Sequence, residues 1–151
     1  MRPRQAKQAT LAFAIVASRY NSAHIEPLTE HARAEINALE PGATVDVIHA
    51  PGSFEIPILA QAAAETKRYQ AILALGLLFQ GETAHAMLVA QAVTSALLDI
   101  SLRHRIPVIH EVLLVNTPEQ ARARCSGLEL NRGIEAARAA VAAARTLREI
   151  K

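Results

Sequence analysis

Two runs constrain the fold before anything else: "LAFAIVA" over 11–17 and "AILALGLL" over 71–78 are apolar at nearly every position. A strand with one wet face alternates apolar and polar residues. A strand that is apolar throughout is covered on both faces, as happens in parallel sheets flanked by helices. Two further runs, 45–50 and 107–115, also have strand length, and a segment with helical periodicity follows each of the four. The alternation predicts an α/β domain with a four-stranded parallel sheet wound in the flavodoxin-like sense. At 151 residues the chain suits a single domain. Residues 11–151 read as that domain, and residues 1–10, which carry Arg2, Arg4 and Lys7, read as a solvated, flexible arm.

The helices carry their own punctuation. Asn21 or Ser22 caps a helix running to about residue 38, Pro27 is near enough to its start to be tolerated, and "EPG" at 40–42 stops it. A second helix starts near Glu55, with Pro57 in the first turn where no hydrogen bond is lost, and ends before Tyr69. Gly81-Glu82-Thr83 opens the third. In "NTPEQARARC", Thr117 is the N-cap, Pro118 the first helical residue and Gln120 the partner that completes a capping box. The last helix runs from about Asn131 to the C-terminus. The third is unusual: Met87, Leu88, Val89, Val93, Leu97, Leu98 and Ile100 cover almost its whole circumference, whereas the outside of a small sheet needs one apolar stripe. The same helix region of a neighbouring subunit is the economical cover, so the composition predicts a homo-oligomer.

Composition excludes several classes. Net charge is +2, and the arginines are spread along the helices without interleaved aromatics, which argues against nucleic acid as a partner. No uninterrupted apolar run reaches the ~18 residues of a membrane span, and no signal-peptide pattern follows the first basic residues. The single cysteine, Cys125, excludes an internal disulfide and suits a reducing compartment. The expectation is a cytoplasmic protein with no membrane partner. The six histidines show neither HExxH nor a cysteine partner, so no metal is expected. No nucleophile-elbow motif supports Ser-His-Asp chemistry.

In open parallel sheets, ligands bind beyond the carboxyl ends of the strands. The segments there are "SRYNS", "APGSFE", "LFQGETAH" and "VNTPE". Of the chain's two tyrosines and three phenylalanines, Tyr20, Phe54 and Phe79 fall in these segments, either to stack on a flat heterocycle or to pack the rim. Gly81-Glu82-Thr83 offers backbone amides and a hydroxyl to a phosphate. Arg124 is either the fork-shaped countercharge for that anion or a surface arginine. His85, two residues past Thr83, is either a proton shuttle beside the anion or a half-buried histidine at a helix start.

Taken together, "IVASRYN", "APGSFEIP", "ALGLLFQGETAH", "IPVIHEVLLVNTPEQARAR" and "NRGIEAA", in this order and spacing, resemble the lumazine synthase family, the penultimate enzymes of riboflavin biosynthesis. The resemblance runs from about Leu11 to the C-terminus. It implies a flavodoxin-like three-layer sandwich, assembled as pentamers and often as sixty-subunit shells, with active sites between adjacent subunits. It implies two small-molecule substrates, 5-amino-6-ribitylaminouracil and 3,4-dihydroxy-2-butanone 4-phosphate, and neither metal nor organic cofactor. By matching position, Tyr20 stacks on the pyrimidine; Ser53, Phe54 and Glu55 hold the ribityl chain; Leu77, Leu78 and Phe79 contact the pyrimidine through backbone groups. Glu82 and Thr83 form the phosphate turn, Arg124 meets the phosphate from the neighbouring subunit, and His85 transfers protons.

The chain departs from the family pattern at identifiable places. His110 stands where an aromatic is usual, at the expected subunit contact, and His110-Glu111 is a polar pair for a core strand. Arg132 stands where a lysine is usual; the charge is kept but the fork is a different group. "AML" at 86–88 replaces "FDY", and "GLELN" at 127–131 replaces "TKAGN". The second reading these departures leave open is a shell-forming or flavin/lumazine-binding paralogue with weak or no synthase activity.

Overall fold

In the computed structural model, which describes residues 9–150, the strands are β1 (Ala12–Ser18), β2 (Thr44–Ala50), β3 (Ala71–Phe79) and β4 (Val108–Val115). The helices are α1 (Ser22–Leu39), α2 (Ile56–Glu65), α3 (His85–His104), α4 (Pro118–Cys125) and α5 (Arg132–Ile150), with one 3-10 turn, Ser53–Glu55, before α2. All four strands are parallel, in the order β2-β1-β3-β4. The arm expected over 1–10 lies, apart from Ala9 and Thr10, outside the described residues.

The reason the strands are apolar throughout is visible in their packing. Along β1 and β3, Phe13, Ile15, Leu73 and Leu75 point into a core closed by α1, α4 and α5. Their neighbours Ala14, Val16, Ile72 and Ala74 point into a second core closed by α2 and α3. Each large side chain fully buried this way contributes about 1.5–3 kcal/mol. The result is a flavodoxin-like three-layer sandwich, and each predicted strand lies within one residue of its observed bounds.

α3 behaves differently from its neighbours. It buries Ala86, Val93, Leu97 and Ile100, one stripe, and leaves Leu88, Leu98 and Leu102 more than 60% exposed, at 62%, 61% and 70%. By length and composition it is apolar enough to cross a membrane. Here it is one layer of the sandwich, with a second apolar face left uncovered in the single chain.

One helix start differs from the sequence reading, and two others fall where expected but with different cap bonds. Gly81-Glu82-Thr83 does not open α3: the N-cap position falls on Ala84, and His85 is the first helical residue. Asn21 occupies the cap position of α1 in a left-handed conformation, φ 62°, but makes no side-chain cap bond. Its amide instead donates to the carbonyl of Leu77 at 2.8 Å. At α4 the Thr117 hydroxyl accepts from the Gln120 N–H at 3.1 Å, as a capping box requires. The return bond is shifted by a residue, because the Gln120 side-chain oxygen accepts from Asn116 N–H at 2.6 Å.

Candidate active site

The strand order reverses direction between β1 and β3, and the crevice outside their carboxyl ends is where such sheets bind ligands. The β1–β3 ladder ends at Ala17–Leu75, so the Leu77 carbonyl lies past it, and the Asn21 amide takes that carbonyl. This bond pins the β1–α1 turn against β3 and turns Tyr20 outward, where its ring is 72% exposed. The second wall comes from the 3-10 turn. Gly76 in β3 makes room for it: a Cβ there would lie 2.7 Å from the Ser53 hydroxyl and 3.1 Å from Ile56 Cδ1. Ser53 is therefore buried beneath the turn, while Phe54 stands out on it, 65% exposed. The third wall is the first turn of α3, which carries His85 and Val89.

Together these elements enclose a cleft of about 430 Å³, lined by Tyr20, Asn21, Gly52, Ser53, Phe54, Glu55, Leu77, Leu78, Phe79, His85, Ala86 and Val89. Eight of the residues singled out from sequence meet there: Tyr20, Ser53, Phe54, Glu55, Leu77, Leu78, Phe79 and His85. Asn21, Gly52 and Val89 were not singled out as site residues; a turn asparagine directly after the tyrosine was the signal available for the first. Phe79 also takes the edge of His24, with ring centroids 6.0 Å apart, so its ring is held from the α1 side. The His85 side chain is exposed and makes no hydrogen bond among the described residues; its backbone N–H is 3.4 Å from the Thr83 hydroxyl. Glu82 and Thr83 are exposed on the turn just before α3 and do not line the cleft.

Three predicted residues lie elsewhere. His110 on β4, Arg124 on α4 and Arg132 at the start of α5 are not on the cleft wall. The polar pair on β4 is explained by alternation, which sends the two side chains to opposite faces of the sheet. His110 turns toward α3, where its Nε2 is 2.7 Å from the Thr94 hydroxyl. Its Nδ1 accepts from the Val112 N–H at 3.0 Å. Burial holds the His110 pKa below its ordinary value. Glu111 turns toward α5, where the Arg132 guanidinium grips it with bonds of 3.0 and 2.8 Å and also donates to Glu135 at 2.7 Å. Burial raises the Glu111 pKa and the pairing with Arg132 pulls the other way, with burial the larger effect. Arg124 donates to the Gln120 carbonyl at 3.3 Å and forms no ion pair among the described residues. Cys125 is buried, which pushes its thiol up to about 11 and leaves it an unreactive core residue.

What the cleft offers chemically is two outward aromatic rings, a carboxylate, strand-end backbone groups and one unengaged imidazole. Among the described residues, no lysine or arginine lines it. The fold and this cleft define the class: a flavodoxin-like α/β protein with a cleft at the switch point of its sheet. The family model of 6,7-dimethyl-8-ribityllumazine synthase matches residues 10–148, and the chain belongs to that family. A 6,7-dimethyl-8-ribityllumazine synthase of Rhodopseudomonas palustris (strain BisA53) is 40% identical over 141 residues, covering 90% of this chain and 85% of the relative. The same-named protein of Coxiella burnetii (strain Dugway 5J108-111) is 36% identical over 145 residues, covering 95% and 96%. That of Xanthomonas euvesicatoria pv. vesicatoria (strain 85-10) is 39% identical over 134 residues, covering 87% and 86%.

Proposed function

We propose that the chain is a lumazine synthase, a transferase of riboflavin biosynthesis that condenses 5-amino-6-ribitylaminouracil with 3,4-dihydroxy-2-butanone 4-phosphate. The amine attacks the ketone and one water leaves as the imine forms; the phosphate is eliminated; the ribitylamino nitrogen closes the ring with loss of a second water, giving 6,7-dimethyl-8-ribityllumazine. The substrate amines are the nucleophiles, so the protein's work is alignment and proton transfer. Alignment contributes at most about 7–11 kcal/mol for ideal geometry, and one general acid/base adds roughly 10²–10⁴-fold.

In this reading Tyr20 and Phe54 flank the pyrimidine, Ser53 and Glu55 hold the ribityl chain, and the backbone of Leu77, Leu78 and Phe79 contacts the ring edge. His85 carries protons to and from the nascent imine and the departing phosphate oxygen. Glu82 and Thr83 form the turn that receives the phosphate. Its countercharge comes from a neighbouring copy through Arg124, with His110 and Arg132 on the same approaching edge. The observation that carries the reading is the cleft itself: aromatic rings and an imidazole line it but, among the described residues, no cation for a phosphate ester, which supports reading it as half of a shared site. Homo-oligomerisation, as a pentamer or a shell of pentamers, follows from the same asymmetry and from the uncovered face of α3. The single cysteine supports a cytoplasmic location.

The test is direct: purified protein is mixed with both substrates and the appearance of lumazine absorbance is followed. Turnover is expected. A protein that assembles yet gives no product above the uncatalysed rate would replace this reading with that of a binding or shell-forming paralogue.

A further inference from the structure

We infer that the chain carries a second oxyanion site at the other end of the sheet, in a cavity of about 340 Å³ between the C-terminal ends of α2 and α3 and the last turns of α5. The argument begins with what lines it. Lys67, His104, Arg105 and Arg148 converge on the cavity, and among the described residues no aspartate or glutamate lines it. Gln70 adds a donor: its side-chain oxygen accepts from Ala12 N–H at 2.6 Å, which leaves the NH₂ end free. The Tyr69 hydroxyl donates to Asp46 at 2.6 Å and accepts from Arg68 at 3.4 Å. Arg148 donates to the Ala9 carbonyl at 3.4 Å and keeps its remaining N–H groups. A cavity lined by Lys67, Arg105 and Arg148, with no acid among its described lining residues, matches the chemistry of phosphate, whose oxygens pair with guanidinium forks.

A second observation is independent of the lining. Lys67 and Arg105 both adopt left-handed backbone, φ 57° and 51°, at the ends of α2 and α3. Glycine is the favoured residue there, since a Cβ makes the conformation costly. The backbone already caps both helices: Lys67 N–H bonds to the Ala64 carbonyl, and the Arg105 and Ile106 N–H groups bond to that of Ser101. Neither cationic side chain is needed to satisfy those carbonyls. The chain thus keeps two cations at two strained positions that open on one cavity. The competing explanation is that they only balance the negative ends of the two helix dipoles.

The experiment compares the intact wild-type protein with the K67G/R105G double variant, in inorganic phosphate, pyrophosphate or ribose 5-phosphate, with ionic strength held constant by chloride. Glycine suits both backbone positions, so the variant is expected to fold and to melt no lower than wild type without oxyanion. Calorimetric titration of wild type should show a binding component that the variant loses or binds at least 10-fold more weakly, and the oxyanion-dependent rise in melting temperature should shrink accordingly. R148Q should weaken the same component. Phosphate bound in the proposed synthase cleft persists in both variants, so failure there is read separately. A site that accepts all three compounds recognises the phosphate group alone; one that takes ribose 5-phosphate best recognises a sugar phosphate. Equal titrations of wild type and double variant overturn the inference. So does a variant that melts lower by the same amount with and without oxyanion, which would leave the cations as dipole partners alone.

Discussion

His110 is held so completely that its protonation state can be read from its partners. The Val112 N–H points at Nδ1, so the ring proton sits on Nε2 and is donated to the Thr94 hydroxyl, whose own hydrogen goes to the Ala90 carbonyl at 2.7 Å. A second proton on Nδ1 would face a donor. Burial acts in the same direction and lowers the pKa from its ordinary 6.5. In the unfolded chain the imidazole takes its proton at that ordinary value, while the folded one resists until lower pH. Its contribution to stability is therefore complete above about 6.5 and is lost as pH falls through the window below it. Urea midpoints measured between pH 7.5 and 5 should fall toward acid, and the fall should be shallower in His110→Ala. Equal slopes would show that another group titrates. The sequence showed that His110-Glu111 was odd for a core strand. It did not show the reason, because Thr94 and Arg132 are 16 and 21 residues away in the chain and meet the pair only across opposite faces of the sheet.

At the scale of elements, the strands were legible because β1 and β3 are near-continuous apolar runs and β2 and β4 are apolar apart from a few polar residues, and the helix starts were less so because several residues compete for each cap. Thr83 looks like a cap for α3, yet its hydroxyl reaches only the N–H of His85, and Ala84 holds the cap position. Asn21 holds the cap position of α1, but its side chain serves as the clasp between α1 and β3. Such choices depend on which carbonyl lies nearby in the fold, and neighbouring residues in sequence do not reveal that. Gly76 is another example, an ordinary glycine within "LALGLL" until the 3-10 turn is seen resting on it. Gly76→Ala sets a methyl 2.7 Å from the Ser53 hydroxyl, with Val112 Cγ1 3.3 Å away, so the turn must lift. The expected cost is about 1–3 kcal/mol of stability, as for other overpacked cores. Because the same turn carries Ser53, Phe54 and Glu55, the variant should also weaken binding of the ribitylaminopyrimidine. Denaturant titration and a substrate KM check both; a variant as stable as wild type would mean that the turn is not seated on the sheet as described.

For the whole molecule, the arrangement of the candidate residues is more telling than any one of them. The cleft gathers its residues from the β1–α1 turn, the 3-10 turn, β3 and the start of α3, whereas His110, Arg124 and Arg132 sit on β4, α4 and α5. Sequence order could not separate these two groups; strand order does, because β4 forms one edge of the sheet. If two adjacent copies complete each site, one contributes His85 and the other Arg124, and this can be tested without seeing the assembly. His85→Ala alone should lower turnover by roughly 10²–10⁴-fold, the range for a lost general acid/base. Arg124→Ala alone should raise the requirement for the butanone phosphate. When the two variant chains are co-expressed in equal amounts, a site is whole wherever an Arg124→Ala chain supplies the cleft and a His85→Ala chain supplies the neighbouring edge. In a ring of like interfaces with random mixing this is about a quarter of the sites. Activity of the mixed preparation should therefore rise well above that of either variant, toward about a quarter of wild type. If each chain instead completes its own site, every site in the mixture lacks one group or the other. No recovery would appear, and the half-site reading of the cleft would fall together with the oligomer it requires.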